Sequence, residues 1–349
     1  MYKLALVGFG VVGQGFCELL SSKKNFLKKN FNLDYRVVAI SDSQKGSVFS
    51  REGIDLSKAL EWVKGGRSLD EFPGDENGWD ALTTIERSGA DILFEATWTD
   101  IRTGEPGLSH IRKALEKGMH VVTTNKGPIA LFGNQLQRDA EEKGLFLRFE
   151  GTVMSGTPLL NLIRECLAGC QIQEIRGIVN GTTNFILTQM FEGKSYAEAL
   201  KTAQELGYAE AVPDADVLGW DALAKACILA NTVFGAQIKP DPDKLPCQGI
   251  DKVSLKDIEQ AKSEGMVIKL IARVFIENGE VRVKVSPERI PLSDPLSGIK
   301  GAKNALTIKT DALDEITITG YGAGKTPTGF AMLVDFLDIH KKLSRRGNE

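Results

Sequence analysis

The sequence has 349 residues, of which 42% are hydrophobic and 26% are charged, and 43 Lys+Arg against 46 Asp+Glu give a formal net charge of -3. These totals are typical of a globular protein with two domains, and the lack of a basic excess argues against nucleic acid as a partner. No stretch reaches the ~20 apolar residues of a membrane helix and the first residues do not resemble a signal peptide, so we expect a cytoplasmic protein.

Short apolar runs alternate with helix-like segments through residues 1–150. Five of these runs have the composition of strands: KLALVG, RVVAISD, ADILFEAT, HVVTTN and LFLRFEG. Strands separated by helices form parallel sheets, so we predict an α/β domain here. The long polar stretch 43–88 predicts a surface excursion with a short helix, because it is too polar for the core of a sheet.

The first run leads directly into GFGVVG, where Gly8, Gly10 and Gly13 form the pattern G-x-G-x-x-G. In a Rossmann-type dinucleotide-binding domain the first glycine allows a tight turn, the second lets the backbone approach a pyrophosphate, and the third lets helix and strand pack closely. A tight turn without a ligand is the alternative, but the position between a strand and a helix favours a dinucleotide site. We expect cofactor contacts from these glycines and from Phe9, Val11 and Val12.

The second strand run ends in ISDS, which bears on the choice between NAD and NADP. Asp42 could accept hydrogen bonds from the ribose hydroxyls of NAD and would repel the 2′-phosphate of NADP. Ser41, Ser43 and Lys45 could receive that phosphate instead. The sequence leaves the choice open.

The later strand runs end in ATWTD and TTNKGP. Ligands of open parallel sheets bind at the carboxyl ends of the strands, so we expect the nicotinamide near Thr97, Thr99, Thr124, Asn125 and Lys126. Lys126 could hold a substrate carboxylate, or it could be an ordinary solvated lysine.

After residue 150 the pattern changes to longer helices followed by strands. TPLLNLIRECLAG, TNFILTQMFEG and SYAEALKTAQELG predict helices, and VIKLIARVFIENG with EVRVKVSPERI predicts a hairpin that turns at ENGE. This order indicates an α+β second domain, and KTPTGFAMLVDFLDIHKKL predicts a final amphipathic helix. The five cysteines form no CxxC pair, so we interpret them, including Cys166 and Cys170, as core thiols in a reducing compartment.

The segment GYAEAVPDADVLGWDALAKA places Asp221 and Lys225 four residues apart on an otherwise apolar helix. A surface pair of this kind is worth only ~0.2–0.5 kcal/mol and needs no function. The lack of other polar residues on the helix favours a cleft, where a lysine could transfer the hydroxyl proton of a dehydrogenase substrate. Glu210 and Asp216, just before the helix, could then bind a substrate amino group.

Several stretches together resemble the homoserine dehydrogenase family over nearly the whole chain: GFGVVG, TTNKGPIA, FEGTVMSGTPLL, VNGTTNFIL, LGYAEAVPDADVLGWDALAKACILAN and GYGAGKTPTGFAMLVD. The resemblance implies NAD(P)-dependent interconversion of L-homoserine and L-aspartate 4-semialdehyde, in threonine and methionine biosynthesis. It also implies a Rossmann-type domain of residues 1–133 completed by 315–349, and an α+β catalytic and dimerisation domain of residues 134–314.

The resemblance further implies roles for single residues. Lys225 would give the proton, Asp221 would orient it, and Lys126 would lie close to substrate and nicotinamide. Glu210, Asp216, Gly181 and Thr182 would contact the substrate, and Gly322 and Gly324 would contact the cofactor. The family often holds a sodium ion, which here would be bound by Glu150, Val153, Ser155 and Thr157.

The resemblance implies a homodimer, and three departures from the family pattern affect substrate identity and regulation. Val212 stands where an aspartate is common, Trp220 is a bulky neighbour of Asp221, and we expect no threonine-sensing extension. Two alternative functions stay open: an oxidoreductase of another amino-acid alcohol or semialdehyde, and a dinucleotide sensor without turnover. A sensor would not need Glu210, Asp221 and Lys225 together.

Overall fold

The structure is a computed structural model that describes residues 1–346, so positions 347–349 of the predicted segment 315–349 lie outside the described residues. The strands are β1 (Tyr2–Val7), β2 (Tyr35–Asp42), β3 (Gly46–Phe49), β4 (Glu76–Asn77), β5 (Ile92–Glu95), β6 (His120–Thr123), β7 (Leu147–Arg148), β8 (Ile172–Ile178), β9 (Met266–Glu277), β10 (Glu280–Pro291), β11 (Lys303–Thr310) and β12 (Asp314–Tyr321). The helices are α1 (Val11–Phe31), α2 (Leu56–Lys64), α3 (Ala81–Arg87), α4 (Gly107–Glu116), α5 (Lys126–Glu142), α6 (Gly181–Phe191), α7 (Tyr196–Glu205), α8 (Asp214–Val217), α9 (Trp220–Phe234), α10 (Leu255–Ser263) and α11 (Lys325–Arg346).

The chain divides into two compact units. The first consists of Met1–Gly156 with the chain from Gly324 onward, and the second consists of Thr157–Ala323. The domain boundaries predicted from the sequence lie elsewhere, at residues 133 and 314. The division of the chain into a cofactor domain and a catalytic domain at those residues stays a prediction.

The first unit contains a seven-stranded sheet in the order β4-β3-β2-β1-β5-β6-β7. The pairs from β2 to β7 are parallel, which confirms the predicted α/β class and the five predicted strands. The prediction for residues 43–88 was wrong in one respect, because β3 and β4 pair antiparallel beside β2. Both strands are short, with four and two residues, and β4 forms the edge of the sheet.

The final helix belongs to the first unit, where α11 packs against α1. The ring of Phe94 in β5 lies 4.3 Å from that of Phe16 in α1 and 5.6 Å from that of Phe336 in α11, measured between centroids. All three rings are fully buried, so α11 completes the core on which the β1–α1 turn rests.

The second unit contains a five-stranded antiparallel sheet in the order β10-β9-β8-β11-β12, and helices α6, α9 and α10 pack against it. The predicted hairpin is β9–β10. Asn278 and Gly279 between the strands have φ angles of 51° and 78°, the positive values that a type I′ turn needs. The α+β prediction for this part of the chain is therefore confirmed.

The cysteine prediction was only partly right. All five cysteines are free, and Cys17 and Cys227 are buried, but Cys166 is exposed and Cys170 is half-buried. The reason is local, since the expected helix is replaced by a π-helical stretch, Leu162–Cys166, that has no buried residue. Among residues 1–346, no helix combines the length and apolar character needed to cross a bilayer.

Candidate active site

The β1–α1 turn has the geometry that the glycine pattern predicts. Gly8 has a φ of +94°, and a Cβ there would lie 2.4 Å from the carbonyl oxygen of Ala96. A Cβ on Gly13 would lie 2.2 Å from the carbonyl oxygen of Gly8. A Cβ on Gly10 would meet no atom within 4 Å. Gly8 and Gly13 are therefore required by packing, whereas Gly10 faces open space.

That open space adjoins the amino terminus of α1. Gly10 is the N-cap and provides no side chain to cap the helix, and no acidic residue lies in the first turn. The first backbone N–H groups and the positive end of the helix dipole therefore suit an anion such as a pyrophosphate. Of the predicted intervening contacts, Phe9 is fully buried, Val12 is half-buried and Val11 is 66% exposed.

A pocket of about 720 Å³ opens beside this turn. It is lined by Gly8 and Gly10, by the end of β2, by the start of α3, and by Thr97, Trp98 and His110. The glycine turn and Asp42, the acid that ends β2, both line this pocket, which is the arrangement expected of a dinucleotide site at the edge of a parallel sheet.

Asp42 is held at this pocket by backbone groups. One carboxylate oxygen accepts from the N–H of Phe9 at 2.7 Å, and the other accepts from the N–H groups of Gln44 and Lys45 at 2.9 and 3.0 Å. Lys45 Nζ lies 3.9 Å from the same carboxylate. Asp42 thereby links the glycine turn to the end of β2.

The groups around Asp42 disfavour binding of the 2′-phosphate that distinguishes NADP from NAD. Asp70 and Asp80 also line the pocket, and the nearby ammonium of Lys45 already faces Asp42. Ser41 is buried, and its hydroxyl donates to the carbonyl oxygen of Trp79. The lining therefore has the charge expected of an NAD site more than of an NADP site.

A buried carboxylate lies beneath the loop after β5. Glu95 is 0% exposed and accepts from the N–H and the hydroxyl of Thr97 and, at 2.7 Å, from the hydroxyl of Thr123. His110 Nδ1 lies 3.6 Å away. Burial opposes the charge of Glu95, but the nearby His110 and the hydrogen bonds from Thr97 and Thr123 outweigh it and lower the pKa of Glu95. The anion ties the ends of β5 and β6 together.

Asn125 continues this network. It caps α5 by accepting from the N–H of Gly127, it donates to the carbonyl oxygen of Trp98 at 3.0 Å, and it accepts from the hydroxyl of Thr99 at 2.9 Å. Lys126, the next residue, begins α5 and is half-buried, as is Thr124. The strand-end residues predicted near the nicotinamide thus lie together in the first unit.

The predicted lysine pair lies in the second unit. Lys225 Nζ is 2.8 Å from Asp221 Oδ2, and the two side chains are only 9% and 11% exposed. The ammonium also donates to the carbonyl oxygen of Val179 at 2.6 Å. The pair is therefore not an exposed helical ion pair, because both side chains are largely buried.

Asn180 joins this pair to Asp216. Its amide nitrogen donates to Asp216 Oδ1 at 2.6 Å and to Asp221 Oδ2 at 3.0 Å. Burial and then the charge of Asp221 raise the pKa of Asp216, opposed by the hydrogen bond from Asn180 and by the charge of Lys225. Two carboxylates and an ammonium therefore form one cluster.

Two of the other predicted substrate residues, Gly181 and Thr182, begin α6. The hydroxyl of Thr182 donates to the carbonyl oxygen of Tyr208 at 2.6 Å. A Cβ on Gly181 would lie 2.7 Å from the carbonyl oxygen of Ala302, so this position admits only glycine without a shift. Glu210 lies on an exposed segment just after Tyr208, and its backbone carbonyl accepts from Gln204.

The late glycine loop follows β12. A Cβ on Gly322 would lie 1.9 Å from the amide nitrogen of Asn304, and Gly324 has a φ of +127°. Asn304 is 0% exposed, and its side-chain amide has no hydrogen-bond partner among the described residues. Gly322 belongs to the second unit and Gly324 to the first.

The residues predicted to hold sodium are all buried. The N–H of Glu150 donates to Asp335, the hydroxyl of Ser155 lies 2.8 Å from that of Thr328, and the hydroxyl of Thr157 donates to the carbonyl oxygen of Tyr321. Glu150, Val153 and Ser155 belong to the first unit and Thr157 to the second. No group of three or more His, Cys, Asp or Glu side chains within residues 1–346 is arranged to hold a metal ion.

Sequence reasoning missed Asn180 and Glu95. The signal for Asn180 was present, because asparagine is a preferred N-cap and NGTT opens a helix. Glu95 stands in the apolar run ILFEAT, where a carboxylate predicts a buried partner network.

Comparison with known proteins gives one consistent result. The family model for homoserine dehydrogenase matches residues 158–337. The NAD(+)-dependent homoserine dehydrogenase of Pseudomonas canavaninivorans is 41% identical over 348 residues, covering 99% of this chain and 98% of that protein. The homoserine dehydrogenase of Methanocaldococcus jannaschii is 37% identical, covering 98% and 99%.

Solved structures agree. A homoserine dehydrogenase from Thiobacillus denitrificans matches with a TM-score of 0.83 and 30% identity, covering 99% of this chain and 74% of that one. A hyperthermophilic archaeal homoserine dehydrogenase in complex with NADPH matches with a TM-score of 0.82 and 29% identity, covering 98% of each chain.

Proposed function

This chain belongs to the homoserine dehydrogenase family, and we propose which of its residues carry out the reaction. The protein is an NAD(P)-dependent oxidoreductase that interconverts L-homoserine and L-aspartate 4-semialdehyde, a reaction of threonine and methionine biosynthesis. The alternatives of another substrate or of a sensor without turnover are set aside on this ground.

Lys225 is the group that moves the proton. When homoserine is oxidised, its hydroxyl carbon loses a hydride and its hydroxyl oxygen loses a proton, and in the reverse direction the aldehyde gains both. The bound nicotinamide supplies or accepts the hydride. Lys225 takes the proton as an amine and returns it as an ammonium. The observation that carries this role is the buried Lys225–Asp221 contact of 2.8 Å.

The Lys225 ammonium donates to the carboxylate of Asp221 and to the carbonyl oxygen of Val179, and these two contacts fix its direction. Asp216 and Glu210 bind the amino group of the substrate, because carboxylates pair with an ammonium. Gly181 and Thr182 shape the same site. Holding the reacting groups in one orientation accounts for a large part of the barrier that such an enzyme lowers.

The first unit holds the cofactor. The open space at Gly10 and the uncapped start of α1 fit a pyrophosphate. Asp42 accepts from the ribose, and the acidic lining supports a preference for NAD over NADP. Thr97, Thr124 and Lys126 lie at the strand ends that face a nicotinamide in this fold.

Other parts of the proposal rest on the family resemblance. We propose a cytoplasmic homodimer with catalytic residues in both predicted domains. A sodium ion bound by oxygens of Glu150, Val153, Ser155 and Thr157 is part of the same proposal, and oxygen-only ligation suits a hard cation.

Steady-state oxidation of homoserine with NAD and with NADP tests the assignment. We expect a higher kcat/KM with NAD, and we expect Lys225→Ala to lose ~10²- to 10⁴-fold in kcat, the usual contribution of a general acid or base. Lys201→Ala is the matched control, because Lys201 forms an i,i+4 pair with Glu205 on the exposed surface of α7. Native activity with neither cofactor would contradict the function, and an active Lys225→Ala would contradict the lysine role.

A further inference from the structure

We propose that Asn180 is a positioning residue of this reaction, and that its side-chain amide holds Asp216 and Asp221, and through Asp221 the Lys225 ammonium, in their working arrangement. The inference rests on the proposed roles of Asp216, Asp221 and Lys225. It goes beyond them because Asn180 need not touch the substrate.

The contacts of Asn180 use both ends of its amide. Its two N–H bonds are directed to Asp216 Oδ1 at 2.6 Å and Asp221 Oδ2 at 3.0 Å. Its oxygen accepts from the backbone N–H of Thr183 at 2.9 Å, which caps α6. Asn180 is 5% exposed, so these hydrogen bonds form largely out of water and are correspondingly strong.

The arrangement explains why this position is an amide. Two carboxylates that lie close together repel each other, and a neutral group with two N–H donors offsets that repulsion without adding charge. Serine, threonine and aspartate are also good helix caps, but none of them can donate two hydrogen bonds from one side chain while capping the helix. Capping alone therefore does not require asparagine.

The carbonyl group of the preceding residue strengthens the coupling. Val179 O accepts from Lys225 Nζ at 2.6 Å, so residues 179 and 180 hold both partners of the Lys225–Asp221 pair. A change in the side chain of Asn180 acts on Asp221 directly and on Lys225 through Asp221. We expect its effect on catalysis to exceed its effect on folding.

The charge state of Asp216 provides the readout. Burial and the charge of Asp221 raise the pKa of Asp216, while Asn180 and the Lys225 charge act against that rise. Without the amide donors the pKa of Asp216 rises further. At a given acidic pH, Asp216 is then protonated in a larger fraction of the enzyme. Asp216 therefore loses the charge that binds a substrate ammonium at a higher pH than in the native enzyme.

Asn180→Ser and Asn180→Asp test this in the full-length enzyme, because both residues keep a helix cap. Serine removes the two-donor amide without adding charge, and aspartate removes it and adds a third negative charge. We expect kcat/KM for homoserine to fall ~10- to 100-fold, as for loss of a hydrogen bond to a charged group. We expect the acidic limb of its pH profile to move up by about one pH unit in the serine variant and further in the aspartate variant.

Asn184→Ser is the matched control on the same helix. Asn184 is a buried asparagine whose amide donates to the carbonyl oxygens of Ile299, Gly301 and Lys303, outside the carboxylate cluster. We expect it to lower the Tm without moving the acidic limb. The KM for the cofactor, measured at saturating homoserine, should stay native in both Asn180 variants.

Each outcome decides the question. Asn180 variants with a native kcat/KM and a native acidic limb would overturn the proposal, and so would variants that only lose Tm, as expected for Asn184→Ser. If Lys225→Ala is inactive while the Asn180 variants are native, only this inference fails. If Lys225→Ala stays active, the proposed role of the lysine fails first.

Discussion

A methyl group added at Gly10 should reduce the affinity for the cofactor and leave the stability of the fold nearly unchanged. Gly10 has a φ of −75°, and no protein atom lies within 4 Å of the position its Cβ would take. Alanine is a poorer N-cap than glycine, but it also restricts the unfolded chain, which offsets that cost. We expect the unfolding free energy of Gly10→Ala to stay within about 1 kcal/mol of the native value.

The same methyl group should weaken the binding of the cofactor. It would occupy the space through which a pyrophosphate approaches the backbone at the start of α1. A hydrogen bond to a charged group is worth ~1.5–3 kcal/mol, so losing one weakens binding ~10- to 100-fold. We expect the Kd for NAD to rise by that factor.

Gly13→Ala is the matched variant, since it lies in the same motif and adds the same methyl group. Its Cβ would lie 2.2 Å from the carbonyl oxygen of Gly8, far closer than the ~3.5 Å of ordinary contact, so the backbone must move. Overpacking of this kind costs ~1–3 kcal/mol, and each kcal/mol lowers the Tm by ~2–4 °C in a domain of this size.

Thermal unfolding and calorimetric titration with NAD measure both quantities. The expected pattern is a stable Gly10→Ala that binds weakly and a less stable Gly13→Ala. A Gly10→Ala variant with native affinity would refute the placement of the pyrophosphate. A Gly13→Ala variant as stable as the native chain would refute the packing argument.

Two further predictions concern buried charges. Glu95→Gln should raise the Kd for NAD ~10-fold because the carboxylate that accepts from Thr97 and Thr123 is lost, and a titration that finds native affinity would contradict its role in holding the loop. Burial, and then the charge of Lys300, lowers the pKa of Lys269 to about 8 from 10.5, so the unfolded chain binds more protons between these values and stability must rise with pH in that window. Relative to Lys269→Met, the native free energy of unfolding should therefore increase by about 3 kcal/mol from pH 8 to 10.5, and denaturant titrations that show no increase would contradict the burial of this ammonium.

Local patterns allowed much of the fold to be predicted. The turn around Gly8 and the turn at Asn278 and Gly279 depend on backbone angles that few residues adopt, so the sequence alone identifies them. The parallel strands were equally clear, because buried strands are nearly continuous apolar runs. The strands β3 and β4 were missed because they are only four and two residues long, too short to show such a pattern.

Side-chain networks could be predicted less well. The pair Asp221 and Lys225 was visible because both residues lie on one turn of one helix. Asn180 is more than 30 positions away from either aspartate it contacts, so only the folded chain shows that its amide lies between them. The exposure of Cys166 could not be predicted for a similar reason, since a π-helical stretch alters which residues face outward.

The packing of α11 on α1 has a consequence for synthesis on the ribosome. The apolar face of α1, with Phe16, emerges early, but the helix that carries Phe336 begins only at Lys325. Translation at ~5–20 residues per second separates the end of α1 from the start of α11 by roughly 15–60 s. During that interval the nascent first unit lacks part of its core, and its uncovered aromatic surface is a natural binding site for a chaperone.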